Sequence, residues 1–77
     1  MKLTITQIDK ILFAGDVLSV TVPSTSGVIT ILAHHMPLIS TIKKGIIKVT
    51  RDKQNDTFLT VESGFLEVGK FETVILV

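Results

Sequence analysis

Apolar and polar residues alternate with a period of two along nearly the whole chain, and this pattern constrains the fold most strongly. In the first segment Leu3 and Ile5 share one face, while Thr4 and Thr6 share the other. A period of two is typical of a β-strand with one buried face, whereas an amphipathic helix repeats every 3.6 residues. Since no stretch sustains a helical stripe, the pattern predicts an all-β fold.

Turn-forming residues divide this pattern into short strands. We expect turns at residues 14–16 and 23–27, and in the strand between them we place Leu18 on the same face as Val20 and Val22. Closely spaced short strands favour a sandwich or barrel. We predict one domain over residues 1–77, a β-sandwich of two antiparallel sheets. Its nine strands are expected near residues 3–5, 11–13, 17–22, 28–32, 38–42, 46–50, 57–61, 65–68 and 71–77.

The segment 33–37 breaks the pattern and carries both histidines of the chain, His34 and His35. Pro37 has no amide donor and restricts the backbone of Met36, so a paired central strand cannot continue through it. We therefore expect a corner between two apolar strands.

The last strand is apolar on both faces over Val74 to Val77, and a strand of this kind needs cover on both sides. It is either a central strand of the sandwich or a strand that a partner or further segment covers. Sheet geometry favours the central position.

Composition excludes several classes of protein. Without cysteine the chain has neither disulfides nor thiolate zinc sites, and its net charge of +1 gives no strong attraction to nucleic acid or anionic lipid. No apolar run has the length of a membrane span, and the first residues lack the apolar centre of a signal peptide. Yet 45% of the residues are hydrophobic. In so small a domain this predicts either a rich core or exposed apolar patches that mark partners.

Sites for small-molecule chemistry are not indicated. The serines, histidines and aspartates form no nucleophile motif, no Gly-rich phosphate loop is present, and we expect neither catalysis, a cofactor nor tight ATP binding. His34 and His35 point to opposite faces of an extended segment, so we expect one imidazole to be packed or hydrogen-bonded at the corner and the other to be exposed, with no metal. The basic residues from Lys43 to Lys53 lack the interleaved aromatic side chains of a nucleic-acid groove.

Five segments resemble the epsilon subunit of bacterial F-type ATP synthases in order and spacing. The family pattern Gly-Glu-x-x-apolar-Leu-x-x-His-x-Pro-Leu, followed by Lys-Pro-Gly, is similar to residues 27–38 and to Lys43-Lys44-Gly45. The other matches are Phe-x-Gly at residues 13–15, Gly-Phe-Leu-Glu-Val at residues 64–68 and the final strand at residues 73–76. Together they cover the whole chain.

The resemblance implies a non-catalytic rotor subunit of the central stalk. It would link the gamma subunit to the c-ring, couple proton flow to ATP synthesis, and sit peripherally at the cytoplasmic face of the bacterial plasma membrane. By the same resemblance, the residues that contact gamma or the c-ring are Ser26, Gly27, Val28, His34, His35, Met36, Pro37 and Lys43. The alternative is a free-standing carrier or binding domain of the biotinyl type, although no Met-Lys-Met attachment motif occurs.

Three departures from the family pattern affect these expectations. Val28 stands where an acidic residue is frequent, and Ser63 stands where a second Gly is common. The helical hairpin that usually follows the sandwich has no counterpart within residues 1–77. Two alternatives remain open: residues 1–77 are a naturally short form, or they are a part of a longer protein. We expect this form to lack the hairpin's inhibitory role and to present a polar face late in the chain, formed by Thr57, Thr60, Glu62, Glu67, Glu72 and Thr73.

Overall fold

Strands and turns make up the whole molecule in the computed structural model, which describes residues 1–77. The number of strands and their order confirm the sequence prediction, with bounds that shift by a few residues. The strands are β1 (Lys2–Thr6), β2 (Ile11–Asp16), β3 (Ser19–Ser24), β4 (Gly27–Leu32), β5 (Leu38–Ile42), β6 (Gly45–Thr50), β7 (Asp56–Val61), β8 (Gly64–Val68) and β9 (Glu72–Leu76).

The strands form one curled sheet that has two halves. Its order is β2-β1-β9-β8-β5-β3-β6-β7, with β4 paired to the remaining side of β3. Only one residue pair, Ser24 with Ile42, joins β3 to β5. We call β2-β1-β9-β8-β5 the five-stranded half and β4-β3-β6-β7 the four-stranded half. The pairing is antiparallel throughout except between β1 and β9, which are parallel.

The inward faces of both halves share one core, which confirms the all-β sandwich class. In β1 the alternation works as predicted, because Leu3 and Ile5 are buried while Thr4 and Thr6 are partly exposed. Each such side chain contributes about 1.5–3 kcal/mol when it is fully buried. The core cluster consists of Leu3, Ile5, Val17, Val20, Val22, Ile31, Ile42, Ile47, Val49, Val61, Leu66, Val68 and Ile75.

The last strand occupies a central position, as its apolar sequence predicts. β9 lies between β1 and β8, and Ile75 points into the core while Leu76 points outward. The expectation that Thr73 faces water is wrong, because Thr73 is only 1% exposed. Residues two apart share a face, so the inward position of Ile75 also turns Thr73 inward, where its hydroxyl donates to Met1 Sδ at 3.6 Å.

The first expected turn and the face of Leu18 are also wrong. β2 continues to Asp16, which pairs with Lys2, and the chain reverses at Val17 and Leu18 instead. Gly15 lies within this strand and its φ is not positive, so the glycine does not create a turn there. Val17 is buried and Leu18 exposed because both precede β3, where the strand alternation begins.

Successive strands carry the chain back and forth between two ends of the sandwich. The turns at residues 33–37 and 69–71 lie at the end we call the histidine end. The turns at residues 25–26 and 43–44 lie at the opposite end, which we call the lysine end. A strand of five or six residues is roughly 17–20 Å long, so about this distance separates the two ends.

Candidate protein-interaction site

The corner between β4 and β5 is an ordered loop. The His35 amide donates to the Leu32 carbonyl at 3.2 Å, and His34 adopts a left-handed conformation with φ 66°. Nδ1 of His35 lies 2.7 Å from the Met36 carbonyl oxygen, which accepts the bond when this nitrogen carries the proton. One imidazole is thus hydrogen-bonded and half-buried and the other is exposed, as predicted. Pro37 precedes β5, which confirms the predicted strand break.

The corner presents an apolar tip to solvent. Met36 is 79% exposed and Pro37 is also exposed. Beside the corner, the turn between β8 and β9 exposes 85% of Phe71, with Lys70 Nζ 5.5 Å from the ring centroid. Together with the first residue of the chain, the two loops enclose an open cleft of about 310 Å³.

A buried serine shapes the turn at the lysine end. Ser24 Oγ donates to the Gly27 carbonyl at 2.6 Å and accepts from the Ser26 amide at 3.1 Å. Gly27 has φ 116°, a conformation in which a side chain would be strained. The turn therefore holds Ser26 and Gly27 at the surface, and Val28 follows as an exposed apolar side chain.

The turn between β5 and β6 packs beside the Ser24 turn. The Lys43 amide donates to the Pro23 carbonyl at 2.8 Å, and the Thr25 amide donates to the Thr41 carbonyl at 3.0 Å. Gly45 approaches Pro23 so closely that an added Cβ would lie 2.9 Å from the proline Cγ. These contacts fix the position of Lys43 relative to Ser26 and Gly27.

The predicted contact residues therefore form two groups and not one. The histidine end has His34, His35, Met36 and Pro37, whereas the lysine end has Ser26, Gly27, Val28 and Lys43. The two groups are close in sequence, and the sequence alone therefore does not show that they are separated. A single strand, β4, joins Val28 to the corner and runs the length of the sandwich.

Sequence reasoning missed the outward surface of the five-stranded half. Ile39 and Phe65 point away from the core there and are 73% and 57% exposed. The alternation within β5 and β8 could have revealed this surface, since each strand has an apolar residue on its second face as well as on its core face.

Asp52 lies in the loop after β6, away from both groups. Hydrogen bonds from the Gln54 backbone amide and from the Asn55 side chain lower the pKa of its carboxyl. The three ion pairs span 3.8–4.0 Å and are exposed, so each contributes little stability. Of the histidine and acidic side chains, no three lie close enough together to hold a metal ion.

The fold and its exposed turns define a small β-sandwich domain of a known kind. The family model described as the ATP synthase delta/epsilon chain β-sandwich domain matches residues 1–77. The chain belongs to this family.

Two relatives from bacteria support the assignment. An ATP synthase epsilon chain of Dichelobacter nodosus (strain VCS1703A) is 38% identical over 68 residues, which cover 88% of this chain and 48% of that relative. An ATP synthase epsilon chain of Chlorobium limicola is 36% identical over 76 residues, which cover 97% of this chain and 85% of that relative. The chain thus spans about half the length of the first relative.

Solved structures show the same fold at low sequence identity. A chain in the cryo-EM structure of the Euglena gracilis mitochondrial ATP synthase (OSCP/F1/c-ring) matches with a TM-score of 0.89 and 22% identity, over 96% of this chain and 48% of that chain. A chain in the central stalk/c-ring structure of the Tetrahymena thermophila mitochondrial ATP synthase matches with a TM-score of 0.84 and 13% identity, over 99% of this chain and 61% of that chain. The structure itself has no helix of the length and hydropathy that a membrane crossing requires.

Proposed function

We propose that this chain is an epsilon-type rotor subunit of an F-type ATP synthase. In this role it links the gamma subunit to the c-ring and couples proton flow to ATP synthesis without catalysing a reaction itself. The family match over residues 1–77 and the two relatives named ATP synthase epsilon chain support the proposal.

The observation that carries the proposal is the division of the contact residues between two ends. A subunit that joins two partners needs two separate surfaces on a rigid body. The corner with Met36 and the turn with Gly27 lie at opposite ends of strands that one core holds together. Each end can therefore bind a different partner at the same time.

Location follows from the same proposal. The chain would sit at the cytoplasmic face of the bacterial plasma membrane, held there peripherally through its partners. The bacterial source of both relatives supports this location.

A charge at the corner tests the proposal. In the free chain Met36 is 79% exposed, so Met36→Asp should leave the fold and the thermal midpoint unchanged. In a complex the new carboxylate would lose its water without gaining a partner, at a cost of several kcal/mol. We expect binding to gamma or to the c-ring, measured by calorimetric titration of each, to weaken at least about tenfold, which corresponds to about 1.4 kcal/mol.

Thr57→Asp is the matched control, because it adds the same charge at an exposed position of β7, away from the corner and from the turn that carries Lys43. This variant should bind as the unmodified chain does. If Met36→Asp instead melts the fold while the folded fraction binds normally, the corner is a structural element and the interface assignment fails.

A further inference from the structure

Sulfur chemistry in this chain is confined to two methionines. The sequence has no cysteine, so its only sulfur atoms are the thioethers of Met1 and Met36. Cysteine and methionine are the two side chains that oxidants convert stepwise at sulfur. A peroxide that meets this chain therefore has two sulfur targets, and their surroundings decide which of them reacts.

The structure gives the two thioethers opposite surroundings. Met1 is half-buried and packs against the core, and its Sδ accepts a hydrogen bond from the buried hydroxyl of Thr73 at 3.6 Å. Met36, in contrast, is 79% exposed at the tip of the corner between β4 and β5. Because oxidation of sulfur side chains follows their exposure, Met36 is the reactive sulfur of the molecule.

The backbone around Met36 does not depend on its side chain. The Met36 carbonyl oxygen lies 2.7 Å from Nδ1 of His35, and the His35 amide donates to the Leu32 carbonyl at 3.2 Å. Pro37, which follows, has a fixed φ. None of these contacts uses the thioether. A chemical change at the sulfur should therefore leave the corner folded and change only what its tip presents.

We propose that Met36 is an oxidation site, at which hydrogen peroxide or an alkyl hydroperoxide prevents docking at the corner. A lone pair of Sδ attacks one oxygen of the peroxide, and the S–O bond forms as the O–O bond breaks. The sulfur loses two electrons, and the second oxygen takes up the proton of the first and leaves as water or an alcohol. A thiol-dependent sulfoxide reductase reverses the change, since two thiols become a disulfide and the oxygen leaves as water.

Oxidation converts the tip of the corner from apolar to polar. The sulfoxide oxygen is a hydrogen-bond acceptor, and a partner surface that fits a thioether beside the exposed Pro37 would remove its water without supplying a donor. This inference rests on the proposed function, which places the corner against gamma or the c-ring. The coupling is reciprocal, so a partner that prefers the thioether form also protects it from oxidation. The oxidised subunit would be kept out of new complexes, whereas an assembled subunit would resist the oxidant.

The test treats the full chain with hydrogen peroxide and follows the gain of oxygen at each methionine by peptide mass spectrometry. We expect Met36 to react at least about fivefold faster than Met1 because of its exposure, while circular dichroism shows an unchanged fold. Calorimetric titration of the oxidised chain with gamma and with the c-ring follows. Because the corner lies at one end of the sandwich, oxidation should weaken binding of one partner at least about tenfold and change binding of the other by less than about twofold.

Met36→Leu is the matched control, because it keeps an apolar side chain of similar volume and has no sulfur. Whatever affinity this variant has, peroxide should leave that affinity unchanged, although Met1 can still react. Treatment of the oxidised unmodified chain with a sulfoxide reductase and a thiol should restore binding.

The outcomes separate this inference from the proposed function. If the untreated chain binds its partners and the Met36 sulfoxide binds them equally well, the oxidation site has no role in docking and the proposed function stands. Oxidation of Met1 as fast as Met36, loss of binding by peroxide-treated Met36→Leu, or binding that the reductase does not restore would each overturn the inference. Equal weakening of both partners or a lost folded signal would also overturn it, because the sulfoxide would then act through the fold. If the untreated chain binds neither gamma nor the c-ring, both proposals fail.

Discussion

At the scale of single residues, two positions show how backbone contacts decide what a side chain can be. Gly64, at the start of β8, lies against the carbonyl oxygen of Leu76, and an added Cβ would collide with that oxygen. The φ of Gly64 is not positive, so the close approach of β9 explains this glycine and backbone conformation does not.

We therefore predict that Gly64→Ala lowers the free energy of unfolding by about 1–3 kcal/mol, the usual cost of overpacking where backbone has to move. Gly15→Ala is the control, because its added Cβ would make only ordinary contact, 3.8 Å from the Phe13 ring. That variant should be neutral or up to about 1 kcal/mol more stable, since the unfolded chain loses freedom. Urea denaturation of both variants measures the difference, and equal stabilities would contradict the steric explanation.

Asp52 gives a prediction about pH. Its Oδ1 accepts a hydrogen bond from the backbone amide of Gln54 at 2.9 Å. The side-chain Nδ2 of Asn55 donates to Oδ1 at 2.9 Å and to Oδ2 at 2.8 Å. These bonds favour the ionised form and lower the pKa. Their contribution to the loop is complete above the ordinary aspartate pKa and is lost as the pH falls through the lowered pKa.

An NMR titration should therefore show the Asp52 carboxyl resonance changing at a lower pH than an ordinary aspartate, with the Gln54 amide shift following the same curve. In Asp52→Ala the Gln54 amide should show no such transition. A midpoint at or above the ordinary aspartate pKa would mean that the loop does not hold these bonds in solution.

At the scale of elements, β9 is the strand on which the five-stranded half depends, because it pairs with both β1 and β8. Its two faces differ: Ile75 is fully buried, while Leu76 is 41% exposed on the outward surface of the five-stranded half. Shortening a side chain on the buried face of β9 should therefore lower the free energy of unfolding much more than shortening one on its outward face.

We predict that Ile75→Ala costs about 2–5 kcal/mol in the free energy of unfolding, because it opens a cavity in the core. Leu76→Ala removes a similar volume from a partly exposed position, and we expect it to cost less than about 1 kcal/mol. Denaturation of both variants by urea provides the comparison. Similar costs would show that Leu76 is packed as closely in solution as Ile75 is.

The elements also show how far the sequence alone determines this fold. Alternation within β1 fixed both the strand type and the buried face, because one face of this strand meets the core. It failed at Leu18 and at the end of β2, where the chain leaves the sheet and hydrogen bonds to distant strands set the reversal. The Leu18 amide, for example, donates to Thr50 at 2.8 Å.

The candidate site was less predictable than the strands. The motif at residues 27–38 predicted exposed turns near Gly27 and at the corner, and both turns are exposed. The separation of these turns depends on β4 running the full length of the sandwich, which local pattern does not report. The outward surface of the five-stranded half depends on the register between β5, β8 and β9, and a single sequence does not reveal such pairing.

At the scale of the whole molecule, the two halves of the sheet are joined by little backbone pairing, but they share one core. One residue pair, Ser24 with Ile42, joins β3 to β5, whereas the buried cluster draws on both halves. Neither half can therefore shield the apolar side chains of its inner face from water without the other half. We expect the molecule to unfold as one unit.

We predict that Val20→Ala in the four-stranded half and Leu66→Ala in the five-stranded half both lower the midpoint of a single unfolding transition. Large-to-small changes at such fully buried positions cost roughly 1–5 kcal/mol. Circular dichroism and amide exchange followed in residues of each half should report coincident transitions. Separate midpoints for the two halves would refute this cooperativity.

The parallel pairing of β1 with β9 has a consequence for biosynthesis. β1 obtains its second neighbour only after β9 has been synthesised, and until then one edge of β1 is open to other chains. Contacts so distant in sequence are formed slowly, on a scale of milliseconds to seconds. A nascent chain of this fold must therefore remain incompletely assembled until β9 has left the ribosome, and protection of the open edge of β1 by chaperones or by early partners would determine its yield in the cell.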